Sequence, residues 1–302
     1  MTATRTGWTR RRVLTLGLAS AGAVAAGVAG AERGLLPGKA VLDTLDGACS
    51  VPGPAVTFAA LGPSSSGTFY SSARHRTVGY TIAYPPRHRA GDELPLVVML
   101  HGYGGNHTDA LSGMSPAQAV AVRADGGPLA PMALVTVDGG PGYWNPHPGD
   151  NPMAMVVGEL IPRCRRLGLG RTRIGMMGIS MGGYGALLLA EKYPHLIDAV
   201  AAISPAIWTR YAQAHAANPG AYASPEAFTA NDAVTHAAAL ARIPVRVAAG
   251  YDDPFYPGVQ ALARALPAGA VVDLARGCHT DPFFAAQQPP SLAFLARHLT
   301  RS

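Results

Sequence analysis

Lysine is almost missing from this chain: Lys39 and Lys192 are the only two in 302 residues. Charge of either sign is scarce, at 14% of residues against 48% hydrophobic, which leaves ample material for a sizeable buried core. No basic patch with interleaved aromatics occurs, so the usual footprint of a nucleic-acid-binding protein is absent. Cysteine is limited to Cys49, Cys164 and Cys278, with no C-x-x-C spacing. That excludes a zinc ribbon and a thioredoxin-like redox site. An odd number leaves at least one thiol outside any intrachain disulfide, and the spacing does not say which pair would form one. There is no Walker loop and no H-E-x-x-H. Gly102-x-Gly104 does not continue as G-x-G-x-x-G, because position 107 is His107. His101, His107, Asp138 and His147 show no ligand spacing either. Neither a metal nor a cofactor is expected.

Glycine and proline are plentiful. The 36 Gly and 26 Pro make about a fifth of the chain, below the roughly 25–30% that marks disorder. The net charge of +6 is mostly a property of the N-terminus: Arg5, Arg10, Arg11, Arg12 and Arg33 face only Glu32. Thr9-Arg10-Arg11-Arg12-Val13-Leu14 reads as a twin-arginine export signal. A charge-free run, Val13 to Ala31, follows it and closes on the cleavage-type tripeptide Ala29-Gly30-Ala31. Residues 1–31 are thus a signal peptide or a retained anchor, and the domain is expected to work outside the cytoplasm, secreted or held at the envelope. Cys49 is no lipoprotein site, since Asp46 stands where an apolar residue is needed.

Residues 32–75 lack periodicity and read as a linker with an edge strand. From residue 76 to 302 apolar strands alternate with helices, the mark of a doubly wound, mostly parallel α/β sheet. Strands are expected at Val78–Tyr84, Leu96–Leu100, Ala133–Val137, Ile174–Met177, Ala199–Ile203, Val245–Ala249 and Val271–Ala275. Helices are expected from an Asn151 cap with Pro152 first, over Met181–Tyr193, Gly258–Leu266 and Ser291–Leu299, with Ala-rich helical pieces across 206–242.

One motif carries chemistry. Gly178-Ile179-Ser180-Met181-Gly182-Gly183 fits G-x-S-x-G, preceded by a strand and followed by a helix apolar on nearly every face. The turn is so sharp that side chains two residues either side of the serine would strike backbone, hence the glycines. A neutral serine needs a histidine base and an acid, which follow it in the order Ser, acid, His on this kind of sheet. His195 ends the nucleophile helix, His215 and His236 precede the acid loop, and His298 lies in the terminal helix. His279 follows the last strand at its carboxyl end, where active sites of open α/β sheets lie. The acid lies in Gly250-Tyr251-Asp252-Asp253-Pro254-Phe255, where the residues alone leave Asp252 and Asp253 open. Asp273 sits within a strand and Asp281 follows the histidine. Oxyanion donors are expected from the N–H of Met181, next to the nucleophile, and of Tyr103 in Leu100-His101-Gly102-Tyr103-Gly104-Gly105. His101 would then be structural. Tyr143 and Trp144, in a loop after a strand at the same end of the sheet, are candidates for lining the substrate pocket or for ordinary loop packing. Asp150 reads as a helix-cap neighbour.

At these residues the chain, from about Val78 to Leu299, resembles the esterase branch of the α/β-hydrolases, which holds S-formylglutathione hydrolases, feruloyl-type esterases and secreted mycolyltransferases. The carriers are Leu100-His101-Gly102, the Ser180 motif, Gly250 to Phe255 and Gly277-Cys278-His279. The resemblance implies an α/β-hydrolase fold and a Ser180–His279–Asp253 triad, since that branch places its acid just before an x-Phe step. It implies a carboxylic ester hydrolase acting on a small-molecule, lipid or sugar ester. An acyltransferase passing the acyl group to an envelope sugar or lipid is the alternative, although mycolyltransferases carry Glu where Asp253 stands. A non-catalytic envelope-binding protein is a third reading, opposed by the intact order of serine, acid and histidine.

Overall fold

Leu94–Leu100 is apolar on both faces, as a strand buried on both sides must be, and it lies near the middle of an eight-stranded sheet. The computed structural model describes Cys49, residues 55–124 and residues 126–300. The leader expected over residues 1–31 and the linker as far as Ala48 lie outside the described residues.

The strands are β1 (Ser64–Ser71), β2 (Arg76–Ala83), β3 (Leu94–Leu100), β4 (Ala133–Val137), β5 (Leu169–Ile179), β6 (Ala199–Ile203), β7 (Val245–Gly250) and β8 (Val271–Ala275), in the spatial order β1-β2-β4-β3-β5-β6-β7-β8. β1 and β2 form an antiparallel hairpin, and β2 pairs antiparallel with β4. Every other pairing within this sheet is parallel. β1 falls within the stretch expected as linker, so the sheet begins before residue 76. β5 is longer than expected: Leu94 pairs with Leu169 but Leu96 with Ile174, a register shift that places Arg171 and Arg173 in solvent.

Helices cover both faces. Leu96, Val98 and Leu100 point to one side, against helix α2 (Met181–Lys192) with its Ala186, Leu187, Leu188 and Leu189. Val97 and Met99 point to the other, where α6 (Asp281–Leu299) packs Leu292, Leu295 and Leu299. Each such buried side chain contributes about 1.5–3 kcal/mol. Helix α1 starts at Pro152 under its Asn151 cap, passes through a π-helical turn at Val156–Leu160 and continues as Ile161–Arg166. Two short helices, α3 (Tyr211–Ala217) and α4 (Pro225–Ala230), cross the 206–242 stretch before β7, and α5 (Tyr256–Ala265) joins β7 to β8.

Helix α6 starts ten residues before the expected Ser291. Pro289 and Pro290 sit inside it rather than ahead of it. They remove two helical donors, but the first half is held by tertiary contacts: Phe283 is fully buried, and the Gln288 amide pairs with both backbone groups of Ser112. Among the described residues no helix is long and apolar enough to cross a membrane.

Candidate active site

The carboxyl ends of β3, β5, β7 and β8 bring together the residues expected to do chemistry. Ser180 caps the tip of β5 with φ 56° and ψ −121°, backbone that costs on the order of 1–3 kcal/mol for a residue with a side chain. Its own backbone bonds hold it there. Ser180 N–H donates to Ile203 O at 2.9 Å, and Ser180 O accepts from Tyr184 N at 3.1 Å and Ala206 N at 3.0 Å. The flanking glycines are sterically required. A Cβ on Gly178 would overlap the Gly182 carbonyl, and one on Gly182 would overlap the Leu100 carbonyl. Strand, elbow and helix therefore fit only as Gly-x-Ser-x-Gly.

His279 Nε2 lies 2.8 Å from Ser180 Oγ, and His279 Nδ1 lies 2.8 Å from Asp253 Oδ2. Asp253 is buried while the His279 side chain is 21% exposed. The other Asp253 oxygen, Oδ1, accepts the Phe255 N–H at 2.8 Å. That bond gives the Asp-x-Phe step a physical meaning, because the amide two residues on fixes the carboxylate plane. Asp252 instead gives its backbone N–H to Gly277 O, and its side chain is not the one that meets His279. The imidazole is bracketed by Phe255 and Phe284, ring centroids 5.1 and 4.9 Å away. Composition and spacing gave no sign of the second of these.

Beside the serine runs the loop after β3. Gly102 comes so close that a methyl there would touch Ser180 Cβ at 3.7 Å. Among the described residues neither Tyr103 nor Met181 spends its N–H on a backbone hydrogen bond, the condition that an oxyanion donor would have to meet. His101 holds this loop from behind. Its Nε2 accepts the Gly139 N–H at 2.8 Å, so Nδ1 carries the proton and donates to Gly102 O at 2.7 Å. Burial pushes its pKa down, against the Gly102 bond and the Asp138 and Asp109 charges, keeping the ring neutral.

Tyr143 and Trp144 do not line the cavity. Both are buried, with positive φ (54° and 58°) that turns them into the core. Trp144 donates from Nε1 to His101 O at 3.2 Å and fills space that methyls on Gly139 or Gly185 would invade. The Tyr143 hydroxyl accepts from Trp208 Nε1 at 2.9 Å. A loop-packing role thus replaces the pocket role. The loop that carries them is riveted by Arg74, whose guanidinium grips Asp150 with two bonds of 2.7 and 2.9 Å and reaches Asp138 O. Burial works to raise the Asp150 pKa, but the Arg74 bond and charge outweigh it and hold the carboxyl low.

A cavity of about 490 Å³ opens above Ser180 and His279. Tyr103, Leu111, Ile179 and Phe284 supply its apolar wall, and Asp109, Ser112 and Asp281 its polar rim. Ser112 Oγ donates to Asp281 Oδ1 at 2.7 Å, which ties the loop after β3 to the start of α6. Contacts between residues 169 and 176 apart in sequence, Ser112 to Asp281 and Ser112 to Gln288, hold this rim. The cysteines pair as Cys49–Cys278, and Cys164 is free and buried.

A family model described as "Putative esterase" matches residues 163–268, which takes in the Ser180 elbow and the Asp253 loop and stops short of His279. Among solved structures, the S-formylglutathione hydrolase from Agrobacterium tumefaciens superposes with a TM-score of 0.63 at 18% identity, covering 82% of this chain and 100% of that one. The feruloyl esterase module from Clostridium thermocellum complexed with sinapinate gives 0.59 at 13%, covering 84% and 99%. MPT51 of Mycobacterium tuberculosis gives 0.56 at 15%, covering 82% and 99%. No curated protein matches the chain. These likenesses make the fold that of the α/β-hydrolases.

Proposed function

We propose that the chain is an exported serine esterase that cleaves carboxylic esters through an acyl-enzyme on Ser180. The observation that carries this reading is the hydrogen-bond chain Ser180 Oγ–His279 Nε2, His279 Nδ1–Asp253 Oδ2, both links 2.8 Å, set at a strained elbow beside two unspent backbone donors. The family match and the esterase neighbours support a carboxylic ester hydrolase.

Asp253 accepts a hydrogen bond from His279 Nδ1–H and so leaves Nε2 unprotonated toward Ser180. As Ser180 Oγ attacks the ester carbonyl, Nε2 takes its proton. The carbonyl oxygen becomes an oxyanion facing the Tyr103 and Met181 N–H groups. The imidazolium returns the proton to the departing alkoxide, leaving an acyl-serine. A water then repeats the sequence, with His279 as base, and frees the acid. Asp253 at the acid position supports hydrolysis over acyl transfer. Export is supported by the basic-apolar leader and by the Cys49–Cys278 disulfide, a bond that persists in oxidising compartments.

The test is release of p-nitrophenol from p-nitrophenyl butyrate by the wild type and by Ser180→Ala. The variant is expected to lose at least about 10⁴-fold in kcat. Equal rates would remove Ser180 as nucleophile. Added acceptor alcohols should leave free acid as the main product; a preference for new ester would replace the hydrolase with a transferase.

A further inference from the structure

His279 stands on weaker foundations than its partners. It lies between β8 and α6, in the short segment Arg276–Thr280 that belongs to neither strand nor helix. β8 is the last strand of the sheet, paired on one side only, with all five residues partly or fully exposed. On the far side, Thr280 takes the N-cap position of α6 without a side-chain cap bond, and its hydroxyl is buried with no partner. Backbone bonds steady the segment at both ends: Tyr251 N–H to Ala275 O and Asp252 N–H to Gly277 O on one side, Thr280 N–H to Cys278 O and Phe284 N–H to Thr280 O on the other. Two of these lead to the loop that carries Asp253, so histidine and acid lean on each other. The bonds from the imidazole to Ser180 and Asp253 align the ring but are themselves the geometry that must be maintained.

One covalent link comes from elsewhere. Cys278, buried and next in sequence to His279, is bonded to Cys49, 229 residues away. We propose that the Cys49–Cys278 disulfide is a positioning element for the catalytic base: it pins the backbone beside His279, and full activity requires its oxidation. Two thiols form it by giving up two protons and two electrons to a disulfide oxidant, which is reduced to two thiols. Dithiothreitol reverses the exchange and leaves as its cyclic disulfide. The bond touches no substrate atom. It acts through His279, where displacement of a catalytic group by about 1 Å can cost on the order of 100-fold in rate. This rests on His279 being the base, so the test includes a readout that needs no turnover.

The experiment compares the full chain in oxidised form, after dithiothreitol, after reoxidation by oxidised glutathione, and as Cys49→Ser. That variant breaks the link from the end remote from His279. Initial rates on p-nitrophenyl butyrate and amide hydrogen exchange are read for each. Reduction is expected to lower kcat by about 10- to 100-fold with KM changed less than about three-fold, to be reversed by oxidised glutathione, and to be matched by Cys49→Ser, which no longer responds to either reagent. Exchange is expected to quicken over residues 276–281 and stay slow over 178–184. Unchanged kcat and unchanged exchange at 276–281 would overturn the proposal. A loss of protection spread evenly over the sheet would also overturn it, since the bond would then hold the whole fold rather than one segment. If the oxidised wild type proves inactive on every ester, the esterase reading fails, and the exchange pattern still decides for or against the tether.

Discussion

The two arms of the candidate active site are built by opposite means. Ser180 ends a strand flanked on both sides, with Ile174 to Ile179 fully buried, and begins a helix of which eleven of twelve residues are buried. Its geometry is over-determined by close packing within a dozen residues of chain. His279 hangs from a half-exposed edge strand, in a segment held by a few backbone bonds, two aromatic rings and a disulfide. The first arm is a casting and the second a joint. In the proposed reaction the imidazole must take a proton from one oxygen and pass it to another, twice, which suits an adjustable arm beside a rigid serine.

The comparison breaks first at the joint. Asp253→Asn should keep the fold and lower kcat by about 10³- to 10⁴-fold, because an amide can donate to Nδ1 and so place the proton on Nε2, facing Ser180. Steady-state kinetics above pH 7 checks this, and a loss under ten-fold would mean that another group orients the imidazole. Next comes the casting. Gly182→Ala puts a methyl into the Leu100 carbonyl and should cost about 3–4 kcal/mol of stability, read as a lower urea midpoint. A midpoint equal to wild type would show that the elbow yields more than its packing suggests.

The smallest effect sharpens the contrast inside the casting itself. Glu191, on α2, is buried with neither carboxylate oxygen hydrogen-bonded, and burial pushes its pKa from 4.5 up to about 9. The folded state therefore holds a proton that the unfolded chain releases above pH 4.5. Stability contributed by the neutral acid is present in full below that pH and drains away as pH rises toward 9. Glu191→Gln should match wild type at pH 4 and exceed it by on the order of 2 kcal/mol at pH 6. Parallel pH profiles of the urea midpoint would show that the carboxyl finds a partner.

Most of the casting was legible in the residues and little of the joint was. The Ser180 elbow is a local steric problem with one solution, so its glycines announce it, and β4, β6 and β8 lie on the very residues expected. The order of serine, acid and histidine singles out His279 on topology. Asp253 could not be separated from Asp252 by composition, because what separates them is the Phe255 amide folding back onto one carboxylate. Their place after a strand leaves Tyr143 and Trp144 open between pocket lining and loop packing; both are buried at two successive positive-φ positions, and nothing in a Gly-Pro-Gly-Tyr-Trp stretch declares that. The start of α6 was hidden by Pro289-Pro290, since the contacts that carry the helix through them come from Ser112, far away in the chain. The pairing of Cys49 with Cys278 was equally out of reach.

The odd cysteine has a consequence for how the protein matures. Three thiols allow three possible bridges, and a wrong one would lock the histidine segment out of place. Cys164 lies wholly inside the core, where burial pushes its thiol up to about 12 despite the nearby Arg163 and Arg166. Only the thiolate attacks a disulfide, so burial of Cys164 works against its scrambling the Cys49–Cys278 bond. In the folded chain the remaining thiol is thus kept apart from the bond that flanks the histidine.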